Sequence, residues 1–242
     1  MRVSDKGIVL QAIKHGDNKF ILKLYTKHNG LLTVSALVGK SPTSKIKSSG
    51  ILPLSLVDIE LILKQNKEIH QLTETSCYSI HPHISISLSK LSIAQFLNEV
   101  LIKSVKEQGP NAHLFEFIET CFKFLNDSEI GFENLHLYFL IELTKYLGFE
   151  PQNNYSNNYP FFDCREGRYT ALSMALPLGL SKDDSFLFSE FLKINCLKEK
   201  MSGIQRSILL DALLAYYRLH IPGFNEVKSL EVLKEVVAGE RN

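Results

Sequence analysis

Along residues 19 to 27, Lys-Phe-Ile-Leu-Lys-Leu-Tyr-Thr-Lys, the side chains alternate. In an extended strand Phe20, Leu22 and Leu24 fall on one side, and Lys19, Lys23, Tyr25 and Lys27 on the other. One face can build a core while the other holds a polyanion: lysines neutralise phosphates, and a tyrosine among them can stack on a base. Residues 1 to 49 strengthen the case, carrying nine Lys or Arg against only Asp5 and Asp17. Lys14 precedes the strand, and Lys40, Lys45 and Lys47 follow in the Gly-, Ser- and Pro-rich stretch 39 to 50. The candidate nucleic-acid-binding set is therefore Lys14, Lys19, Lys23, Tyr25, Lys27, Lys40, Lys45 and Lys47. The whole chain, with 27 basic and 26 acidic residues, hides this polarity. Residues 1 to 80 hold eleven basic against six acidic side chains, and residues 81 to 242 hold sixteen against twenty.

Other chemistries find less support. Val38-Gly39-Lys40-Ser41 ends like a phosphate-binding P-loop, but the glycine required five residues earlier is Val34, and Pro42 follows where a helix should start. His81 and His83 flank Pro82 without a third metal ligand at suitable spacing, so the segment reads as an interdomain linker. Asp163, Cys164 and Glu166 have no histidine close in sequence to activate a nucleophile and read as loop structure. Asp183 and Asp184 open a helix, where negative charge complements the dipole. No enzyme signature, metal site or cofactor site emerges. Four cysteines, Cys77, Cys121, Cys164 and Cys196, lie 32 to 44 residues apart with no CxxC pair, as expected of buried or partly buried thiols. No apolar run approaches the roughly 20 residues that span a bilayer, and the start Met-Arg-Val-Ser-Asp-Lys lacks a signal-peptide core. The expectation is a cytoplasmic protein with no membrane partner.

The elements that must position these residues fall into two groups. From Lys6 to about Tyr78 the hydrophobic period is two, in runs 6 to 13, 19 to 26, 31 to 38, 51 to 63 and 67 to 77. Turns are expected at Lys27-His28-Asn29-Gly30 and Gln65-Asn66, and a mobile basic loop at 39 to 50. Five short strands fit a small closed barrel, of which the OB-fold is the commonest that binds nucleic acid. After His81-Pro82-His83 the period becomes helical, with helices expected near 85 to 101, after Pro110, at 132 to 147, 182 to 192, 202 to 220 and 228 to 237. Most of the aromatics there, among them Phe115, Phe117, Phe122, Phe124, Phe139, Phe186, Phe188 and Phe191, recur at core spacing. The fold class expected is α+β: an OB-fold domain over residues 1 to 80, then a helical domain over 81 to 242. Within the latter, residues 148 to 180 form an insert with a turn at Gly167.

The chain resembles the RecO family of DNA repair and recombination mediators. The resemblance is carried by Gly7-Ile8-Val9-Leu10, by Leu24-Tyr25-Thr26-Lys27 with Gly30, by Gly39-Lys40 and by Leu114-Phe115. It continues through Tyr146-Leu147-Gly148-Phe149-Glu150-Pro151 and Leu209-Leu210 to Tyr217, then His220, Gly223 and Lys228-Ser229-Leu230. It implies a non-enzymatic, nucleoid-associated protein that binds single- and double-stranded DNA, anneals complementary strands and works with RecR to load RecA onto DNA coated by single-stranded DNA-binding protein. That coating protein's acidic, apolar tail is bound by the helical domain in the family. Many members carry a four-cysteine zinc module after the Gly-Phe-x-Pro segment, whereas here Cys164 is the only cysteine of that region, so packing of Tyr155, Tyr159, Phe161 and Phe162 is expected instead. The alternative is an OB-like adaptor for RNA or a protein.

Overall fold

The computed structural model describes residues 1–41, 43–79, 81–105, 109–175, 177–193, 197 and 199–239. Contacts divide the chain into two compact units, residues 1–87 with 105–127 and residues 88–104 with 128–242.

In the first unit, β1 (Arg2–Lys14), β2 (Lys19–Thr26), β3 (Gly30–Leu37), β4 (Leu56–Ile62) and β5 (Ile69–Ser79) close into a barrel. The strand order is β1-β2-β3-β5-β4. All neighbours are antiparallel except β3 and β5. Strict alternation puts Leu22, Leu24, Val34, Ala36, Ile59, Leu61 and Leu72 into one apolar interior. A bulge between Val9 and Gln11 bends β1, which pairs with β4 along its first half and with β2 along its second. Gly30 (φ 69°) and Asn66 (φ 54°) supply the left-handed residues of the two short turns.

The connection from β3 to β4 is not the free loop its polar composition suggests. Ile46 and Ile51 are buried in the barrel core. Its backbone is tied down as well: Gly39 N donates to Ile46 O, and Thr75 N donates to Lys45 O, both at 3.0 Å. Residues 48–51 form a single 3-10 turn, so the strand expected from residue 51 begins only at Leu56. Pro53 has no N–H to offer a ladder and Leu54 takes φ 71°, which breaks the extended run.

Two helices complete this unit, α1 (Pro82–Ile86) and α3 (Ala112–Asp127). Asn111 caps α3 by accepting from Leu114 N at 3.0 Å. Phe115 stacks on Tyr25 with ring centroids 6.5 Å apart, and Tyr78 Oη donates to Glu119 at 3.1 Å. The residues read as a linker are part of this packing. Pro82 starts α1, the His81 ring lies 6.2 Å from that of Phe122, and His83 N donates to Asn126 Oδ1 at 3.0 Å. The period change near residue 81 marks where strands give way to helices; the packing of the barrel unit continues past it.

The second unit holds α2 (Leu88–Ser104), α4 (Leu135–Leu147), α5 (Lys182–Lys193), α6 (Gly203–His220) and α7 (Ser229–Gly239). The helix ends follow from local chemistry. Gly148 (φ 82°) closes α4, Ser202 and Gln205 form a capping box on α6, and Ser181 accepts from Asp184 N ahead of α5. Glu99 of α2 caps α7 from a neighbouring helix, accepting from Lys228 N, Ser229 N and Ser229 Oγ at 2.7–3.0 Å. Among the described residues no helix is long and apolar enough to cross a membrane. Cys77 is half-buried and Cys121 and Cys164 are buried, while Cys196 lies outside the described residues.

Within the insert, β6 (Phe161–Asp163) and β7 (Arg168–Thr170) form the hairpin, with Gly167 (φ 66°) in its turn. Phe162 anchors it, 5.0 Å from Tyr169, 4.8 Å from Phe188 and 5.9 Å from Tyr216. Tyr155 packs edge-on against Tyr169, whereas Tyr159 is 49% exposed. Asn154 acts as a surrogate strand, accepting from Tyr169 N and donating to Tyr169 O. This donor set does not fit a zinc ion. Cys164 is the insert's only cysteine, so the thiolate pairs of a structural zinc module are lacking.

Candidate nucleic-acid interface

Because Val34 and Ala36 point inward, Ser35 and Leu37 of β3 point outward. Across the β2–β3 ladder the outward pairs are Lys19 with Leu37, Ile21 with Ser35, Lys23 with Thr33 and Tyr25 with Leu31. The Tyr25 end of this face is closed. Ile8 is the β1 partner of Tyr25, and both side chains are buried, the tyrosine ring lying against Phe115 of α3. The expected exposed stacking ring is thereby corrected: Tyr25 is 1% exposed, its hydroxyl has no hydrogen-bond partner among the described residues, and burial pushes its pKa up to about 12. Strand alternation gave its side of the sheet correctly, but a helix ninety residues later in the chain covers that part of the face.

The rest of the face stays open and lies beside a groove of about 570 Å³ lined by Lys19, Leu37, Lys45, Gln71 and Thr73 among others. Lys14, Lys19, Lys40 and Lys47 are exposed and Lys23 is half-buried. None of these five makes an ion pair among the described residues. The other two candidate lysines have partners. Lys27 Nζ lies 2.7 Å from Glu116, a hydrogen bond that pushes the lysine up and holds the carboxyl down, and Lys45 Nζ lies 2.9 Å from Glu74. The structure thus gathers Lys19 and Lys45 at one groove and places Lys27 in a separate cleft with Asp5, Lys6, His28, Asp58 and Glu60.

Asp5 organises that cleft. Its carboxylate accepts from Lys6 N, His28 N and Asn29 Nδ2 and meets His28 Nδ1 at 2.9 Å. Burial alone would raise this carboxyl, but the hydrogen bonds outweigh it and hold the group below its ordinary value. Sequence reasoning missed Asp5, Glu74 and Glu116. Nothing in local spacing reveals partners 23, 29 and 89 residues away. The outward position of Leu37, by contrast, was readable from the alternation through 34 to 37.

A five-stranded barrel closed in this order is an OB-fold, and the lysine-bearing face gives it the character of a nucleic-acid-binding module. A family model described as Recombination protein O N terminal matches residues 1–80, and one described as Recombination protein O C terminal matches residues 87–158. The DNA repair protein RecO of Flavobacterium psychrophilum is 32% identical over 98% of this chain and 99% of its own. Those of Flavobacterium johnsoniae and Bacteroides fragilis are 31% and 29% identical, over 98% and 95% of this chain and 99% and 97% of their own. The chain belongs to the RecO family of DNA repair proteins.

Proposed function

We propose that the protein is a recombination mediator that binds single- and double-stranded DNA through the open barrel face and anneals complementary strands. In this reading it also helps RecR load RecA onto DNA coated by single-stranded DNA-binding protein, and acts in the cytoplasm at the nucleoid. The observation that supports the reading is that Lys14, Lys19, Lys23, Lys40 and Lys47 form no ion pair among the described residues, with Lys19 and Lys23 on the open face. Phosphates supply the missing anions, and the released counterions drive binding without a base code. Two strands held by one cationic surface repel each other less, so pairing is accelerated with no covalent step. Partner proteins dock on the helical unit in this scheme.

Strand annealing tests the proposal directly. Complementary oligonucleotides should anneal faster with the protein present, including when one strand is coated by single-stranded DNA-binding protein. Changing Lys19, Lys23 and Lys40 to Glu should abolish the acceleration. Annealing that is indifferent to these changes, or a preference for structured RNA over DNA in competition, would reject it.

A further inference from the structure

The turn between β2 and β3 carries a reactive sequence that the lysine-bearing face does not use. Asn29-Gly30 is the one place in the chain where glycine follows asparagine. A glycine nitrogen, with no Cβ beside it, is the least hindered backbone nucleophile, and the amide carbon of a preceding asparagine can swing within its reach. Here that amide is held. Asn29 Nδ2 donates to Asp5 Oδ2 at 2.7 Å, Asn29 N donates to Thr26 Oγ1 at 3.2 Å, and Thr26 Oγ1 donates to Gly30 O at 3.0 Å. Asn29 is half-buried and His28 beside it is exposed, so water reaches the turn. We infer that Asn29 is a deamidation site and that Asp5 is the latch that restrains it.

The reaction needs no partner but water. Hydroxide takes the proton of Gly30 N, which bonds to Asn29 Cγ; the Cγ–Nδ2 bond breaks, and the nitrogen takes a proton from water and leaves as ammonia, regenerating hydroxide. Water then opens the succinimide ring at one of two bonds. Breaking the bond from Gly30 N to Cγ leaves aspartate in an ordinary chain, whereas breaking the bond from Gly30 N to the Asn29 carbonyl carbon leaves isoaspartate, with Cβ and Cγ now in the main chain. No electrons change hands. To reach Gly30 N the side chain must give up its bond to Asp5, a charge-assisted contact because the carboxyl is held below its ordinary value and stays ionised. The product undoes the turn. A carboxylate then stands where Nδ2 donated, against an Asp5 that also accepts from Lys6 N and His28 N, and two carboxylates sharing a site repel. The isoaspartate form also lengthens the connection that pairs Thr26 with Gly30. Conversion therefore loosens the β2–β3 turn in one direction only.

The test incubates the full chain in mildly alkaline buffer and follows the tryptic peptide from His28 to Lys40 by chromatography and mass spectrometry. Asn29 should convert into two products of equal mass, aspartate and isoaspartate, and Asp5→Ala should speed the conversion about tenfold. Equal rates in the parent and Asp5→Ala would overturn the latch, and so would slower conversion in the variant. No conversion at Asn29, even with the parent in urea, would overturn the site. If Asp5→Ala does not fold, Asn29→Asp decides, since it installs the product against an intact Asp5 and should melt below Asn29→Ala; equal melting temperatures would overturn the proposal.

Discussion

The number of free lysines sets a salt dependence that can be worked out in advance. Of the eight candidate residues, Tyr25 is uncharged and buried, and Lys27 and Lys45 are held by Glu116 and Glu74. Five lysines remain to displace counterions. At about 0.7 per phosphate on single strands and about 0.9 on duplex, the logarithm of affinity should fall with the logarithm of salt at slopes of about −3.5 and −4.5. Raising salt from about 50 to 200 mM then weakens single-strand binding by about 100-fold. Fluorescence anisotropy with a labelled oligonucleotide at several salt concentrations measures the slope. Lys19→Ala should flatten it by about 0.7, whereas Lys27→Ala should leave it unchanged because Glu116 already neutralises that charge. A slope near zero refutes the electrostatic account, and equal effects of Lys19→Ala and Lys27→Ala refute the division into free and paired lysines.

Tyr25→Phe removes a buried hydroxyl that has no partner among the described residues, so thermal unfolding should show unchanged or higher stability, by up to about 1 kcal/mol, with DNA affinity unaltered. Asp5→Ala strips acceptors from the β2–β3 turn and should cost about 1–3 kcal/mol at neutral pH in denaturant titrations. The folded carboxyl titrates below the ordinary 3.8, so its contribution is complete above that value and disappears as pH falls through the lowered one; the parent, and not the Ala variant, should lose this increment in acid. Phe162→Ala empties the centre of the hairpin's aromatic cluster and should destabilise the protein by about 3–5 kcal/mol. A chelator should leave the parent's melting temperature unchanged, and one zinc per chain by elemental analysis would contradict the aromatic account of the hairpin.

How much of this was legible depended on the range of the interaction. Strands and helices were read well because hydrophobic period is local, and Gly30, Gly148 and Gly167 mark the turns they were expected to mark. The 39 to 50 stretch was misread because its polar composition hides two anchors: burying Ile46 within it and Ile51 just after it pins a segment that looks unstructured. The sidedness of β2 was right, but sidedness says nothing about what covers a surface. Tyr25 and Lys19 share an outward face, and only the arrival of α3 makes one a core residue and leaves the other in water. Charge counting has the same blind spot, since Lys27 and Lys40 look alike until Glu116 is placed.

The covering of Tyr25 by α3 also dictates a schedule. The barrel strands are complete at Ser79, but the helix that shields Tyr25 ends at Asp127, 48 residues later. At about 5–20 residues per second, a ribosome needs about 2–10 s to make up that distance. During that interval the nascent barrel carries a bare apolar flank on its outer wall. A fragment ending after β5 would keep that flank permanently, and so would be prone to clump even though every strand of its barrel is present.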